Sequence, residues 1–135
     1  MEASVKELFD AACAARERSY SPYSNYKVGA AIRTTDGEVF AACNVENAAF
    51  PEGVCAEGGA ISMMVVGTDG VPSIAEVVVV TDGDTPGTPC GGCRQKIREF
   101  GGVDTVVYAT TVEGSVTQFT MEQLLPSSFG PDRLL

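Results

Sequence analysis

Near the start of the chain Val5, Leu8, Phe9 and Ala12 recur at intervals of three and four, the spacing that gathers side chains on one face of a helix. Ser4 followed by Glu7 predicts a capping box at its first turn, and Cys13, directly after the last of the series, is expected in the core. Beyond Arg18 the periodicity stops. Ser19-Tyr20-Ser21-Pro22-Tyr23-Ser24-Asn25-Tyr26 is turn-forming and rich in tyrosine, which predicts a loop whose rings either cover the surface or line a pocket. Lys27 to Thr34 and Glu38 to Cys43 read as two strands, with the hairpin signal Asp36-Gly37 between them.

Asn44-Val45-Glu46-Asn47 follows. Continued extension would put Asn44 and Glu46 on one side, an amide and a carboxylate suited to a sugar hydroxyl because one donates and the other accepts. A polar turn, in which Asn side chains bond their own backbone, is the alternative. Pro51-Glu52-Gly53 closes this loop, and a helix is expected from about Cys55 to Val66 with Gly67 ending it. Gly58-Gly59 is unusual there, since each glycine in a helix interior costs roughly 1 kcal/mol relative to Ala. Another part of the chain must approach that backbone closely.

Ile74 to Val80 contains four consecutive valines, which suits a strand covered on both faces. A loop rich in Asp, Gly, Thr and Pro leads to Cys90. The next helix, from about Gly91, places Cys93, Ile97 and Phe100 on one face and ends at Gly101-Gly102. Thr105 to Ala109 and Ser115 to Phe119 form strands around Glu113-Gly114, and Thr120 with Gln123 predicts a capping box on a short final helix. The tail from Pro126 to Pro131 cannot be helical throughout. Read together, the elements predict one α/β domain over residues 1–135, with helices on both faces of a roughly five-stranded sheet.

Composition narrows the function. The formal charge of −9 repels phosphate backbones and argues for a small-molecule substrate rather than nucleic acid. The chain contains no histidine, so His-ligated metal sites, Ser–His–Asp and Cys–His nucleophile systems and the usual near-neutral proton shuttle are excluded. Proton transfer then falls to a carboxylate, a Lys, a Tyr or a metal-bound water. The odd count of five cysteines and the absence of a basic segment followed by an apolar run argue against a disulfide framework and a signal peptide, so reduced thiols in the cytoplasm are expected. No apolar stretch approaches membrane-spanning length.

The candidate chemistry lies in two short pieces, Cys55-Ala56-Glu57 and Pro89-Cys90-Gly91-Gly92-Cys93. Three sulfurs suffice to hold a zinc ion whose fourth position stays open for water, the feature that separates a catalytic site from a structural one. Glu57, two residues from Cys55, is placed to move protons on and off that water. Helix N-termini at Cys55 and Cys90 would direct positive dipole ends at the metal. Cys-x-x-Cys alone suits a redox pair equally well, and a four-sulfur structural site closed by Cys43 is a further alternative. Glu57 on its own would serve as a solvated first-turn acid favoured by the helix dipole.

Ser21-Pro22-Tyr23-Ser24, Lys27-Val28-Gly29-Ala30-Ala31, Cys43-Asn44-Val45-Glu46-Asn47-Ala48-Ala49, Cys55-Ala56-Glu57 and Pro89-Cys90-Gly91-Gly92-Cys93-Arg94-Gln95 together resemble the small, homotetrameric, zinc-dependent cytidine deaminases. Leu124-Leu125-Pro126 and Phe129-Gly130-Pro131 continue the likeness to nearly the whole chain. The resemblance implies a three-layer α/β/α sandwich with a mixed five-stranded sheet, and one Zn²⁺ per subunit on Cys55, Cys90 and Cys93 with Glu57 as proton shuttle. It implies that Asn44 and Glu46 bind the ribose 3′-hydroxyl, that Tyr26, Phe50 and Ala56 contact the substrate, and that Phe129 reaches a neighbouring subunit's site. The implied activity is hydrolytic deamination of cytidine or deoxycytidine in pyrimidine salvage. Alternatives are a related aminopyrimidine nucleoside of the blasticidin type, or a non-enzymatic zinc domain.

Two departures stand out. The family commonly follows Cys-Ala-Glu with Arg-Thr, the Arg bonding to the zinc thiolates, where this chain has Gly58-Gly59; and Phe50 stands where Tyr is usual. Zinc with three thiolates carries a formal charge of −1 and needs nearby positive charge to act as a Lewis acid. Arg94, adjacent to Cys93, is the expected source.

Overall fold

The computed structural model describes residues 1–135. Helix α1 (Ala3–Arg16) precedes the hairpin β1 (Gly29–Thr34) and β2 (Val39–Cys43); a short 3₁₀ turn (Phe50–Glu52) leads into α2 (Ala56–Val66). Strand β3 (Ile74–Thr81), helix α3 (Gly91–Phe100), the hairpin β4 (Val106–Thr111) and β5 (Val116–Thr120) and a one-turn helix α4 (Met121–Leu124) complete the ordered elements. A second 3₁₀ turn, Pro131–Arg133, lies in the tail.

The strands form one mixed sheet in the order β2-β1-β3-β4-β5. Only β3 and β4 run parallel, with Val77 opposite Val107, because α3 carries the chain back between them. The other neighbours are antiparallel. Both predicted hairpins close on a glycine of positive φ, Gly37 at +89° and Gly114 at +96°, a conformation that a β-carbon would penalise.

Alternation along β3 divides the core. Val78 and Val80 face α1, packing with Val5, Leu8, Ala12 and Ala31. Val77 and Val79 face the opposite side, against Ala56, Ala60 and Met64 of α2, Ile97 of α3 and Val107. Each fully buried valine contributes roughly 1.5–2 kcal/mol of transfer free energy, and a strand buried on both faces cannot slip by one residue without exchanging its two sets. The three-layer α/β/α architecture expected from the sequence follows directly.

Two local expectations need correction. The Ser4–Glu7 capping box does not form: α1 begins at Ala3 after Glu2, without a side-chain cap. Ser4 therefore lies inside the first turn rather than at the N-cap, and Arg33 lies 3.7 Å from the Glu7 carboxylate and donates from Nη2 to the Ser4 carbonyl at 2.7 Å. The first strand starts at Gly29 rather than Lys27, because the amide N–H of Val28 donates to the Asn44 side chain instead of to a neighbouring strand. The Thr120–Gln123 box is present in both directions, Thr120 N–H donating to Gln123 Oε1 at 2.8 Å and Gln123 N–H donating to Thr120 Oγ1 at 3.2 Å. Cys13 is half-buried and packs against the α1-side cluster, where burial raises its thiol pKa.

Candidate active site and metal centre

Helices α2 and α3 pack against the same sheet face, and each begins with a cysteine as its N-cap, Cys55 for α2 and Cys90 for α3. Cys93, one turn into α3, is buried behind them. The Sγ atoms of Cys55, Cys90 and Cys93 all lie within 4.8 Å of one another. Tetrahedral coordination with Zn–S bonds of about 2.3 Å sets sulfurs about 3.8 Å apart, so the donor set fits zinc in both chemistry and spacing. Cys43 ends β2 opposite Gly29 and is not part of the cluster, and the third sulfur makes the group more than a Cys90–Cys93 redox pair.

The thiols are electrostatically unequal. Cys90 is held below the usual thiol range, chiefly by the backbone N–H of Cys93, the effect of a helix N-terminus on an anion. Burial pushes Cys55 up, and Cys93 further. Metal binding requires all three as thiolates, so coordination and proton release are linked.

Glu57, in the first turn of α2, is 5% exposed. Burial raises its carboxyl above the usual range, and the charge of Lys96 opposes that rise. A raised carboxyl pKa makes the group a better proton donor and acceptor partner than an ordinary surface acid. That environment excludes the reading of Glu57 as a solvated first-turn acid.

A cavity of about 370 Å³ opens beside this centre. Cys55, Ala56, Glu57 and Cys90 form one wall, Tyr26, Asn44, Glu46 and Phe50 another, and Val79 and Thr81 at the end of β3 part of the floor. All the sequence-predicted site residues but two line this cavity. Cys93 lies behind the wall as a sulfur donor. Phe129 is on the tail, 58% exposed, with its carbonyl accepting from Gln95 Nε2 at 2.8 Å, and does not line this cavity.

Asn44 and Glu46 do share a side, and they also build the wall they stand in. Asn44 Oδ1 accepts from Val28 N–H at 2.9 Å and from the Ser19 hydroxyl, while its Nδ2 donates to the Tyr26 carbonyl at 2.8 Å. Glu46 accepts from the N–H groups of Tyr23 at 2.9 Å and Ser24 at 3.2 Å and from the Ser24 hydroxyl. The hydroxyl contact, foremost among these bonds, holds its carboxyl below the ordinary range. Only Asn47 behaves as a local turn residue, its side chain accepting from Ala49 N–H at 2.9 Å. Tyr23 meets Phe50 edge-on at the rim, ring centroids 5.9 Å apart.

Of the adjacent glycines, only Gly59 meets the close approach that the sequence demanded. A β-carbon on Gly59 would lie 3.0 Å from Cβ of Ala42 on β2, and one on Gly58 would lie 3.4 Å from Lys96 Nζ. Arg94, expected to offset the thiolate charge, is engaged elsewhere. Its Nε donates to the Pro89 carbonyl at 2.7 Å, Nη1 to the Leu124 carbonyl at 2.8 Å and Nη2 to Thr88 Oγ1 at 2.9 Å. These bonds tie the metal loop to the tail. Sequence reasoning also missed Val28, Val54, Thr81 and Thr88 as cavity residues; Thr81, the first polar residue after the valine run, was the one that carried a signal.

Comparison with known proteins agrees with this geometry. Residues 3–110 match the family model for the cytidine and deoxycytidylate deaminase zinc-binding region, a span that contains all three clustered cysteines and Glu57. The chain is 40% identical over 130 residues to a cytidine deaminase of Sporosarcina psychrophila, covering 96% of this chain and 94% of that one. It is 38% identical over 122 residues to that of Halalkalibacterium halodurans, covering 90% and 91%. The crystal structure of cytidine deaminase from Burkholderia pseudomallei superposes with a TM-score of 0.84 at 42% identity, covering 96% of this chain and all of that one. Three converging sulfurs, a buried acid beside them and this breadth of likeness lead to one assignment: the chain belongs to the cytidine and deoxycytidylate deaminase zinc-binding family.

Proposed function

We propose that this protein is a cytidine deaminase that hydrolyses cytidine, deoxycytidine or both to the uracil nucleoside and ammonia, with residues 1–135 acting as one domain. The observation that carries the proposal is the cavity whose walls combine Cys55, Cys90 and the buried Glu57 with Asn44 and Glu46. Reactive groups and sugar-binding groups therefore face one space of nucleoside size.

Cys55, Cys90 and Cys93 hold the zinc, which, when bound, supplies the Lewis acidity that makes water a competent nucleophile near neutral pH. Glu57 takes one proton from the attacking water and passes it to ring N3 as C4 becomes tetrahedral, then takes the second from the new C4 hydroxyl and delivers it to the amino group, which leaves as ammonia while the C4 carbonyl forms. Asn44 and Glu46 orient the ribose: one N–H of the Asn44 amide and a lone pair of Glu46 remain for a hydroxyl after the bonds to the 19–28 loop are counted. Tyr26, Phe50 and Ala56 close around the base.

A homotetramer in the cytoplasm, serving pyrimidine salvage, completes the proposal. Its support is the exposed apolar surface: Phe50 at 76% and Phe129 at 58% flank the site region and the tail, and Met63, Val65 and Val66 form an open face on α2. Such a surface is suited to a second copy of the chain, with Phe129 entering the neighbour's cavity. No helix is long and apolar enough to cross a membrane. Ultraviolet spectroscopy of cytidine with purified, zinc-loaded protein tests the activity. Conversion to the uridine spectrum with release of one ammonia per nucleoside is expected, and an unchanged spectrum at micromolar enzyme overturns the proposal.

A further inference from the structure

Zinc with three thiolates has a net charge of −1, and each further negative charge that develops during the reaction is resisted unless a cation stands close by. Cations near this centre are few. Arg94 is tied to two carbonyls and a threonine hydroxyl. The ion pairs of the molecule use Lys6, Arg16, Arg33 and Arg98. Lys96 is in none of them.

Lys96 lies three residues beyond Cys93 on α3, and Gly58 lies three residues beyond Cys55 on α2, so each shares a helix face with a sulfur donor. The two helices pack together, and the Lys96 side chain crosses between them. A β-carbon on Gly58 would stand 3.4 Å from its Nζ and 3.8 Å from its Cδ. With no side chain at Gly58, nothing longer than hydrogen stands between the α2 backbone and this unpaired ammonium. We propose that Lys96 is a positioning residue for the metal centre, its ammonium held over Gly58 to offset the negative charge of the zinc–trithiolate group. Lys replaces no ligand in this arrangement; it acts through the field, which an exposed ammonium exerts at short range and which salt weakens.

The inference rests on the metal reading, so its test begins with the parent protein. Zinc affinity is measured by competition with a chromophoric chelator at low salt for the parent, Lys96→Met and Lys96→Arg, each also melted in its metal-free form. Lys96→Met is expected to bind zinc roughly tenfold more weakly, Lys96→Arg to stay within about twofold of the parent because it restores the charge, and the difference to shrink in roughly 1 M salt. Unchanged metal-free melting excludes a packing defect at this exposed position. Equal zinc affinity of Lys96→Met and parent, or equal loss in the Met and Arg variants, overturns the role of Lys96. A parent that fails to hold one zinc per chain would instead overturn the metal centre itself.

Discussion

Replacing Asn44 by Ala separates two roles that the site assigns to one side chain. In the folded chain this amide, at the end of β2, joins three points of the 19–28 segment: Ser19, the Tyr26 carbonyl and the Val28 amide. Truncation leaves the half-buried Val28 N–H without its acceptor, whereas the exposed Tyr26 carbonyl and the Ser19 hydroxyl can turn to water or to neighbours. An unsatisfied buried donor costs about 1–3 kcal/mol and each of the two replaced bonds about 0.5 kcal/mol net, so the sum is about 2–4 kcal/mol. Urea denaturation of metal-free protein should show that loss as a lower midpoint with unchanged slope. The same variant should raise KM for cytidine at least tenfold, since both the direct contact and the loop bearing Tyr26 are affected. Asn44→Asp, which keeps the acceptor toward Val28, should lose less stability than Ala. If Asn44→Ala unfolds within 0.5 kcal/mol of the parent while KM rises, the amide is a ligand group only and the loop argument is wrong.

Two further predictions concern the carboxylates. Glu57→Gln should keep one zinc per chain and lower turnover roughly 10³-fold. Because burial raises the Glu57 pKa, folding is favoured by its neutral form and that contribution is lost as pH rises through the raised value. The metal-free Gln variant should therefore be more stable than the parent at pH 7, with the advantage vanishing in acid; equal urea midpoints at pH 7 would contradict the burial argument. Glu46 has the opposite sign: its lowered pKa gives stability that is present above the unfolded value of about 4.3 and disappears as pH falls through the folded one. Glu46→Gln should unfold earlier than the parent at pH 6 and converge with it as pH falls below the lowered folded value, measured as urea midpoints across pH.

What the sequence shows and what it conceals here follow from the range of each interaction. Hairpins at Asp36-Gly37 and Glu113-Gly114, the final capping box and the two-faced valine strand were readable because their causes lie within a few residues. The sulfurs and Glu57 were readable for another reason: with no histidine in the chain, few residue types can bind zinc and move protons, and although spacing left a redox pair and a Cys43 site open, the likeness to a known family chose among them. The Ser4 cap failed because α1 starts at Ala3, which puts Ser4 inside the helix, while Arg33, 29 residues away, pairs with Glu7 and bonds the Ser4 carbonyl. No local pattern carries that information.

The pair Gly58-Gly59 lies between these cases and shows how far a sequence argument can reach. Two glycines in the first turns of a helix state that something must come close, since the helix is weaker for them, but they leave the visitor unnamed. For Gly59 it is Ala42, on a strand that any hairpin prediction already places nearby; Gly58 has only the Lys96 ammonium beside it, at a distance an alanine would tolerate, and that placement depends on how α2 and α3 pack. Proximity in sequence favoured Arg94 as the compensating cation, because it adjoins Cys93. A helix turns about 100° per residue, so the neighbour of a ligand points away from it, while the residue three further on returns to its face. Arg94, four residues beyond Cys90, and Lys96, three beyond Cys93, each stand about one turn from a sulfur, so spacing admits both; it is the bonds of Arg94 to Pro89, Leu124 and Thr88 that leave Lys96 as the free cation, and those depend on packing that no local pattern states.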